Sequence, residues 1–170
     1  MTQLASEMPR SRLGVLARTI VRRLRVAKLR ITSRGRVTID ETSGIARRSR
    51  ILPTASGSIG PNVLVGTDFR ADVPFDIGAG SLISSSVAFI GKDHDLGPGA
   101  KSVAEGSRLA AGRVVLAGDN LVGYGSIMIA PCSLAHGVVV GAGSVVTGDL
   151  DQPDGIYGGV PARLIGSRER

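Results

Sequence analysis

Residues 59–89, cut every six positions, read IGPNVL-VGTDFR-ADVPFD-IGAGSL-ISSSVA-F, and the first letter of each block is aliphatic, aromatic or small: Ile59, Val65, Ala71, Ile77, Ile83 and Phe89. The beat resumes as Leu116, Val122, Met128, Leu134, Val140 and Val146. Six is neither the 3.6 of an α-helix nor the 2.0 of a simple strand. It marks a chain that coils into a solenoid, each coil stacked on the last. Six residues make one short strand and one tight corner, so three such blocks close a triangular coil of about 18 residues. Stacked coils give parallel sheets whose inward side chains form aliphatic ladders.

Working outward, Ile39, Ile45 and Ile51 already keep the beat, and a two-residue slip near Ser56–Ser58 separates them from Ile59. The position after each beat is usually small, as in Gly60, Gly66, Gly78, Ser84, Ala117, Gly123, Ala135 and Gly141. Small residues suit tight corners, where positive φ is needed and bulk clashes. The position two before the next beat is apolar or small: Val63, Val87, Ser126, Cys132, Val138 and Ser144.

Composition agrees with one domain of this kind. Aromatic residues are 3% of the 170, so the core must be built from Val, Ile, Leu and Ala, and 42% hydrophobic residues excludes a disordered chain. Cys132 is the single cysteine, which fits a reducing cytoplasm and leaves no internal disulfide or cysteine zinc site. No stretch near the amino terminus reads as a signal peptide. Between Asn120 and Gly148 there is no Asp, Glu, Lys or Arg, but glycines, Pro131 and the persistent beat argue for solenoid core rather than a membrane span.

Charge is uneven. Residues 1–50 hold 13 Lys and Arg against 3 Asp and Glu, whereas the whole chain nets only +7. Residues 11–31 read as a basic amphipathic helix, with Leu13, Leu16, Ile20, Leu24 and Ala27 along one stripe and Arg18, Arg22, Arg25 and Lys28 off it. The plain expectation is that the stripe packs on the solenoid end or on a neighbouring subunit. The sharper one is peripheral contact with an anionic membrane. Nucleic acid is not expected, because no recognition motif accompanies the basic patch. The organisation expected is a basic helical segment over 1–36, a β-helix domain over 37–166 with residues 91–115 inserted as an excursion loop, and a tail at 167–170.

That excursion interrupts the beat and carries Gly-Lys-Asp-His-Asp-Leu-Gly-Pro-Gly at 91–99. A long aperiodic loop inside a compact fold is often functional. His94 is the side chain whose ordinary pKa suits a general base near neutrality. Asp93 or Asp95 would orient its ring, with Asp95 preferred. The other histidine, His136, falls two residues past the Leu134 beat, at an outward and solvated corner. Cys132 is expected to point inward and to be inert.

Leu-Ala-Gly-Asp-Asn-Leu (116–121), Val-Gly-Ala-Gly-Ser-Val-Val-Thr (140–147) and Gly-Gly-Val-Pro-Ala-Arg-Leu-Ile (158–165) closely resemble the hexapeptide-repeat acyltransferases, a group that includes galactoside, maltose, serine and colanic-acid O-acetyltransferases. The resemblance spans about residues 37–166. It implies an all-β, left-handed parallel β-helix; the period alone does not set the hand, and the usual right-handed crossover rule points the other way. It implies a homotrimer with active sites between subunits. It implies acetyl-coenzyme A as co-substrate and no metal, since two histidines are too few for the three-histidine zinc site of the carbonic anhydrases that share this solenoid.

By the same resemblance, Gly123, Tyr124, Ala142 and Thr147 line the coenzyme arm, and Arg163 meets its phosphate end. A backbone N–H near Gly123–Tyr124 would stabilise the oxyanion. Ser86 and Asp72, with Asp93, would contact a small-molecule or glycan acceptor. The activity implied is O-acetylation of a sugar hydroxyl in the cytoplasm, at the inner face of the membrane if the helix binds there. The alternatives are N-acetylation of an amino sugar or drug, or a non-catalytic trimeric scaffold at a membrane surface.

Overall fold

The structure, a computed structural model, describes residues 12–91, 110 and 112–169. Helix α1 (Arg12–Thr32) precedes a run of short strands that form three parallel sheets, the faces of a triangular prism. The first face stacks β1 (Val37–Ile39), β4 (Gly57–Ile59), β7 (Phe75–Ile77), β10 (Val114–Leu116) and β13 (Cys132–Leu134). The second stacks β2 (Gly44–Ile45), β5 (Leu64–Val65), β8 (Leu82–Ile83), β11 (Leu121–Val122), β14 (Val139–Val140) and β16 (Gly155–Gly158), and β17 (Arg163–Ser167) closes it antiparallel to β16. The third stacks β3 (Arg50–Ile51), β6 (Arg70–Ala71), β9 (Ala88–Ile90), β12 (Ile127–Ile129) and β15 (Val145–Val146). This is the left-handed parallel β-helix expected, with one helix before it.

Pairing register gives the coil lengths. Gly57 pairs with Phe75 and Val114 with Cys132, each 18 residues on, whereas Val37 pairs with Gly57 across 20. The two extra residues lie in the corner between Ile51 and Gly57, close to the slip visible in the sequence. Phe75 pairs with Val114, so that coil holds 21 residues beyond the usual 18. The excursion therefore leaves the prism after β9 and rejoins it at β10, which already takes in Val114 and Val115.

Every beat residue from Ile59 to Val146 is buried, and so are Val63, Val87, Ser126, Cys132, Val138 and Ser144, each two positions before a beat. All three phenylalanines meet in one layer: Phe69, Phe75 and Phe89 pack edge to face with ring centroids 5.1–6.2 Å apart. Buried polar corners stitch coil to coil. Asn120 accepts from the Gly118 N–H at 2.9 Å and donates to the Ala135 carbonyl at 2.7 Å. The Ser126 hydroxyl donates to the Gly141 carbonyl at 2.9 Å, which satisfies a group that would otherwise be costly to bury.

Helix α1 lies against β1 and β2 of the first coil. Its packed face differs from the stripe expected. Val26 is buried, Leu29 packs on the core, and Arg30 donates a side-chain hydrogen bond to the Ile39 carbonyl. Ile20 and Leu24 are instead 49% and 64% exposed, and Ala27 is exposed with them. The docked Val26–Leu29 ridge is anchored by the neighbouring Arg30 hydrogen bond, which hydrophobic spacing does not encode.

Candidate active site

The corners of the prism form three edges, and the described residues expected at the site, Arg163 of β17 apart, fall on two of them, on either side of the third face. The edge between the second and third faces carries Ser86, Gly123, Tyr124 and Ala142 in successive coils. Its backbone is closely stacked. The Gly123 N–H donates to the Val140 carbonyl at 2.8 Å, the Gly143 N–H to the Tyr124 carbonyl at 2.8 Å, and the Ser86 N–H to the Thr67 carbonyl at 2.8 Å. Tyr124 stands 61% exposed above this column, and Ala142 is exposed beside it. The Gly123 N–H is thus already engaged within the coil stack.

The edge between the third and first faces carries Asp72, the excursion and Thr147. The excursion leaves between the corners of the coils before and after it. A Cβ on Gly91 would stand 3.0 Å from the Val73 side chain, and one on Gly112 would stand 2.6 Å from the Pro131 nitrogen. The Ala130 N–H donates to the Ile90 carbonyl at 2.8 Å, so the outgoing stem is tied to the next coil. His94, Asp93 and Asp95 lie outside the described residues.

Asp72 sits one coil before the stem, but its carboxylate is engaged by Arg70, whose Nε donates to it at 2.7 Å. That hydrogen bond, and then the carboxylate's charge, push the Arg70 guanidinium above its ordinary range. A second pair borders the returning stem, where Arg113 meets Asp76 at 2.6 Å and the Ser58 hydroxyl donates to the same carboxylate. Asp76 is an outward strand residue, and sequence reasoning missed it because a lone Asp between two beats looks like solvated surface.

At the carboxyl-terminal end, Thr147 and Arg163 line one cavity of about 210 Å³ with Leu150, Tyr157 and Leu164. The Arg163 side chain is exposed and donates only to its neighbour's carbonyl, Ala162, at 3.0 Å among the described residues. Tyr124 and Ala142 thus share one edge, while Thr147 joins Arg163 across the third face.

Cys132 is buried as expected. Burial first, and then the charge of Asp149, push its thiol up from 9.0 to about 12, which removes it as a nucleophile. His136 is exposed at an outward corner, on the edge remote from both columns. Among the described residues no group of three or more His, Cys, Asp or Glu could hold a metal ion, and no helix is long and apolar enough to cross a membrane.

Sequence reasoning also missed a basic cavity of about 460 Å³ between α1 and the first coil, lined by Arg25, Lys28, Arg47, Arg48 and Arg50. The available signal was the excess of positive charge before residue 50.

The fold is shared with solved acyltransferase structures. The polySia-specific acetyltransferase NeuO superposes with a TM-score of 0.62 at 23% identity, over 77% of this chain and 61% of that one. The chain thus spans about six tenths of the NeuO chain. The hexapeptide-repeat acetyltransferase VCA0836 from Vibrio cholerae O1 biovar eltor, complexed with acetyl-coenzyme A, superposes with 0.64 at 20% identity over 94% and 91%. AntD, an N-acyltransferase from Bacillus cereus in complex with dTDP and 3-hydroxybutyryl-CoA, gives 0.57 at 24% over 79% and 78%. No protein-family profile matches the chain, and no curated protein sequence does.

Proposed function

We propose that this chain is a coenzyme A-dependent acyltransferase that moves an acetyl group from acetyl-CoA to a hydroxyl of a sugar or glycoconjugate in the cytoplasm. The observation that carries the reading is the single excursion. Its coil alone exceeds its neighbours by 21 residues, in a fold shared with acyltransferases, and the inserted segment bears His94 between two aspartates.

In the reaction, His94 removes the acceptor hydroxyl proton as the oxygen attacks the thioester carbon. Asp95, or Asp93, orients the ring and stabilises its charged form. The tetrahedral oxyanion is met by a backbone N–H, for which Tyr124 is the candidate that remains. The carbon–sulfur bond breaks, the acetyl ester forms, and the imidazolium returns its proton to the departing thiolate. Tyr124, Ala142 and Thr147 lie along the coenzyme arm, and Arg163 faces its phosphate end. Ser86, Asp72 and Asp93 border the acceptor.

A homotrimer follows from the same reading. The donor and acceptor residues are divided between two edges of one prism. A groove between copies joins one chain's edge to the other edge of its neighbour, so each site is shared. The test is acetyl transfer from acetyl-CoA to a panel of sugars. His94→Ala is expected to lower turnover by about 10²–10⁴-fold with coenzyme A binding retained. Retention of more than about a tenth of the wild-type rate would refute the general base.

The likeness to AntD supports a second reading, N-acylation of an amino sugar. An amine needs less help from a base, so His94→Ala would then be milder. The product amide would resist the mild alkali that cleaves an ester.

A further inference from the structure

Helix α1 exposes the apolar stripe that the solenoid leaves uncovered. At about 100° per residue, Ile20, Leu24, Ala27 and Ile31 share one face, roughly opposite the docked Val26 and Leu29. Leu24 is 64% and Ile31 76% exposed. Such a continuous apolar face on a surface helix calls for an occupant.

Charge says which. The helix contains Arg12, Arg18, Arg22, Arg23, Arg25, Lys28 and Arg30 and no acidic residue. On one flank of the stripe, Arg25 and Lys28 turn towards the corner between β2 and β3, where Arg47, Arg48 and Arg50 complete the 460 Å³ cavity. Arg48 is held by Asp68 through two hydrogen bonds of 2.6 Å. Arg25, Lys28, Arg47 and Arg50 form no salt bridge among the described residues, although Arg50 lies within the field of Asp68. A stripe meeting the same stripe of a second copy would bring these like charges together. Nucleic acid would meet the cations but leave the apolar residues in water.

We propose that α1 and the first coil form a docking site for an anionic lipid bilayer. The Ile20–Leu24–Ile31 face enters the acyl boundary, and the cavity formed with Arg47 and Arg50 receives phosphate-bearing headgroups. Basic amphipathic helices lie in the interface in this way, with binding set by apolar area and attraction to anionic lipid together. The proposal stands independently of acyl transfer.

The test is co-sedimentation of the full chain with vesicles of phosphatidylcholine alone or of phosphatidylcholine mixed equally with phosphatidylglycerol. Binding is expected to the mixed vesicles only, and to weaken with salt. Leu24→Glu combined with Ile31→Glu, and separately Arg47→Glu combined with Arg50→Glu, should each lower the bound fraction about tenfold or more at unchanged helicity and melting temperature. The milder Leu24→Ser with Ile31→Ser serves if the acidic pair unfolds. Inorganic phosphate at the concentration of exposed lipid phosphate should not compete; full competition would reassign the cavity to a soluble anion and overturn the bilayer. Equal binding to both vesicle types, or stripe variants that bind vesicles normally but change the oligomeric mass by light scattering, would overturn it too.

Discussion

Gly123 lies directly against Ala142 of the next coil: a Cβ at Gly123 would stand 2.5 Å from the Ala142 backbone nitrogen. Two residues assigned to the donor groove are therefore in van der Waals register along one edge. Gly123→Ala must push the corners apart, because the obstructing atoms are main chain. We expect a loss of about 1–3 kcal/mol in urea unfolding. Coenzyme affinity should fall with it, since the corner that separates is the one proposed to hold the arm. Stability within about 0.5 kcal/mol of wild type would show that the edge is slack.

Cys132 predicts a pH dependence. Its thiol shifts from 9.0 to about 12 through burial and the Asp149 charge, so the folded state holds the proton more tightly than the unfolded chain. That contribution is complete below about pH 9 and is lost as pH rises towards 12. Near pH 10.5 the wild type should have lost about 2 kcal/mol relative to pH 8 that Cys132→Ala does not lose. Urea midpoints of the two proteins at both pH values decide it. Parallel decline in both would mean that the thiol titrates normally. The same burial predicts no labelling by iodoacetamide in the folded protein at pH 8.

Arg163 makes no ion pair among the described residues and shares its cavity with Thr147. If it meets the coenzyme's phosphates, Arg163→Ala should weaken coenzyme A binding about tenfold or more in calorimetry, a charge-assisted bond being worth about 1.5–3 kcal/mol. Dephospho-coenzyme A should show a smaller difference between wild type and variant if the 3′-phosphate is the group contacted. Unchanged affinity for both would remove Arg163 from the donor site.

The solenoid core was legible because a six-residue beat constrains side chains twice, once by inward direction and once by stacking. Ile77, Leu116 and Leu134 keep the beat on both sides of the 21-residue insertion, and they stack in one ladder. The inward direction of Cys132 was legible for the same reason. Which face of α1 docks was not, because Val26 and Leu29 are turned inward beside the Arg30–Ile39 hydrogen bond, a contact between distant segments that hydrophobic spacing does not encode. Nor was the basic cavity, since Arg47 and Arg50 become neighbours of Lys28 only once the helix folds back over the first coil. The engaged Gly123 N–H was equally hidden, since its partner Val140 belongs to the next coil.

The shared-groove account is tested most directly by a crystal structure of the protein with coenzyme A. It predicts the coenzyme in a furrow between two copies, with the sulfur within hydrogen-bonding reach of the His94 imidazole and the phosphates beside Arg163. A coenzyme bound to one chain alone, or a sulfur far from that imidazole, would contradict it.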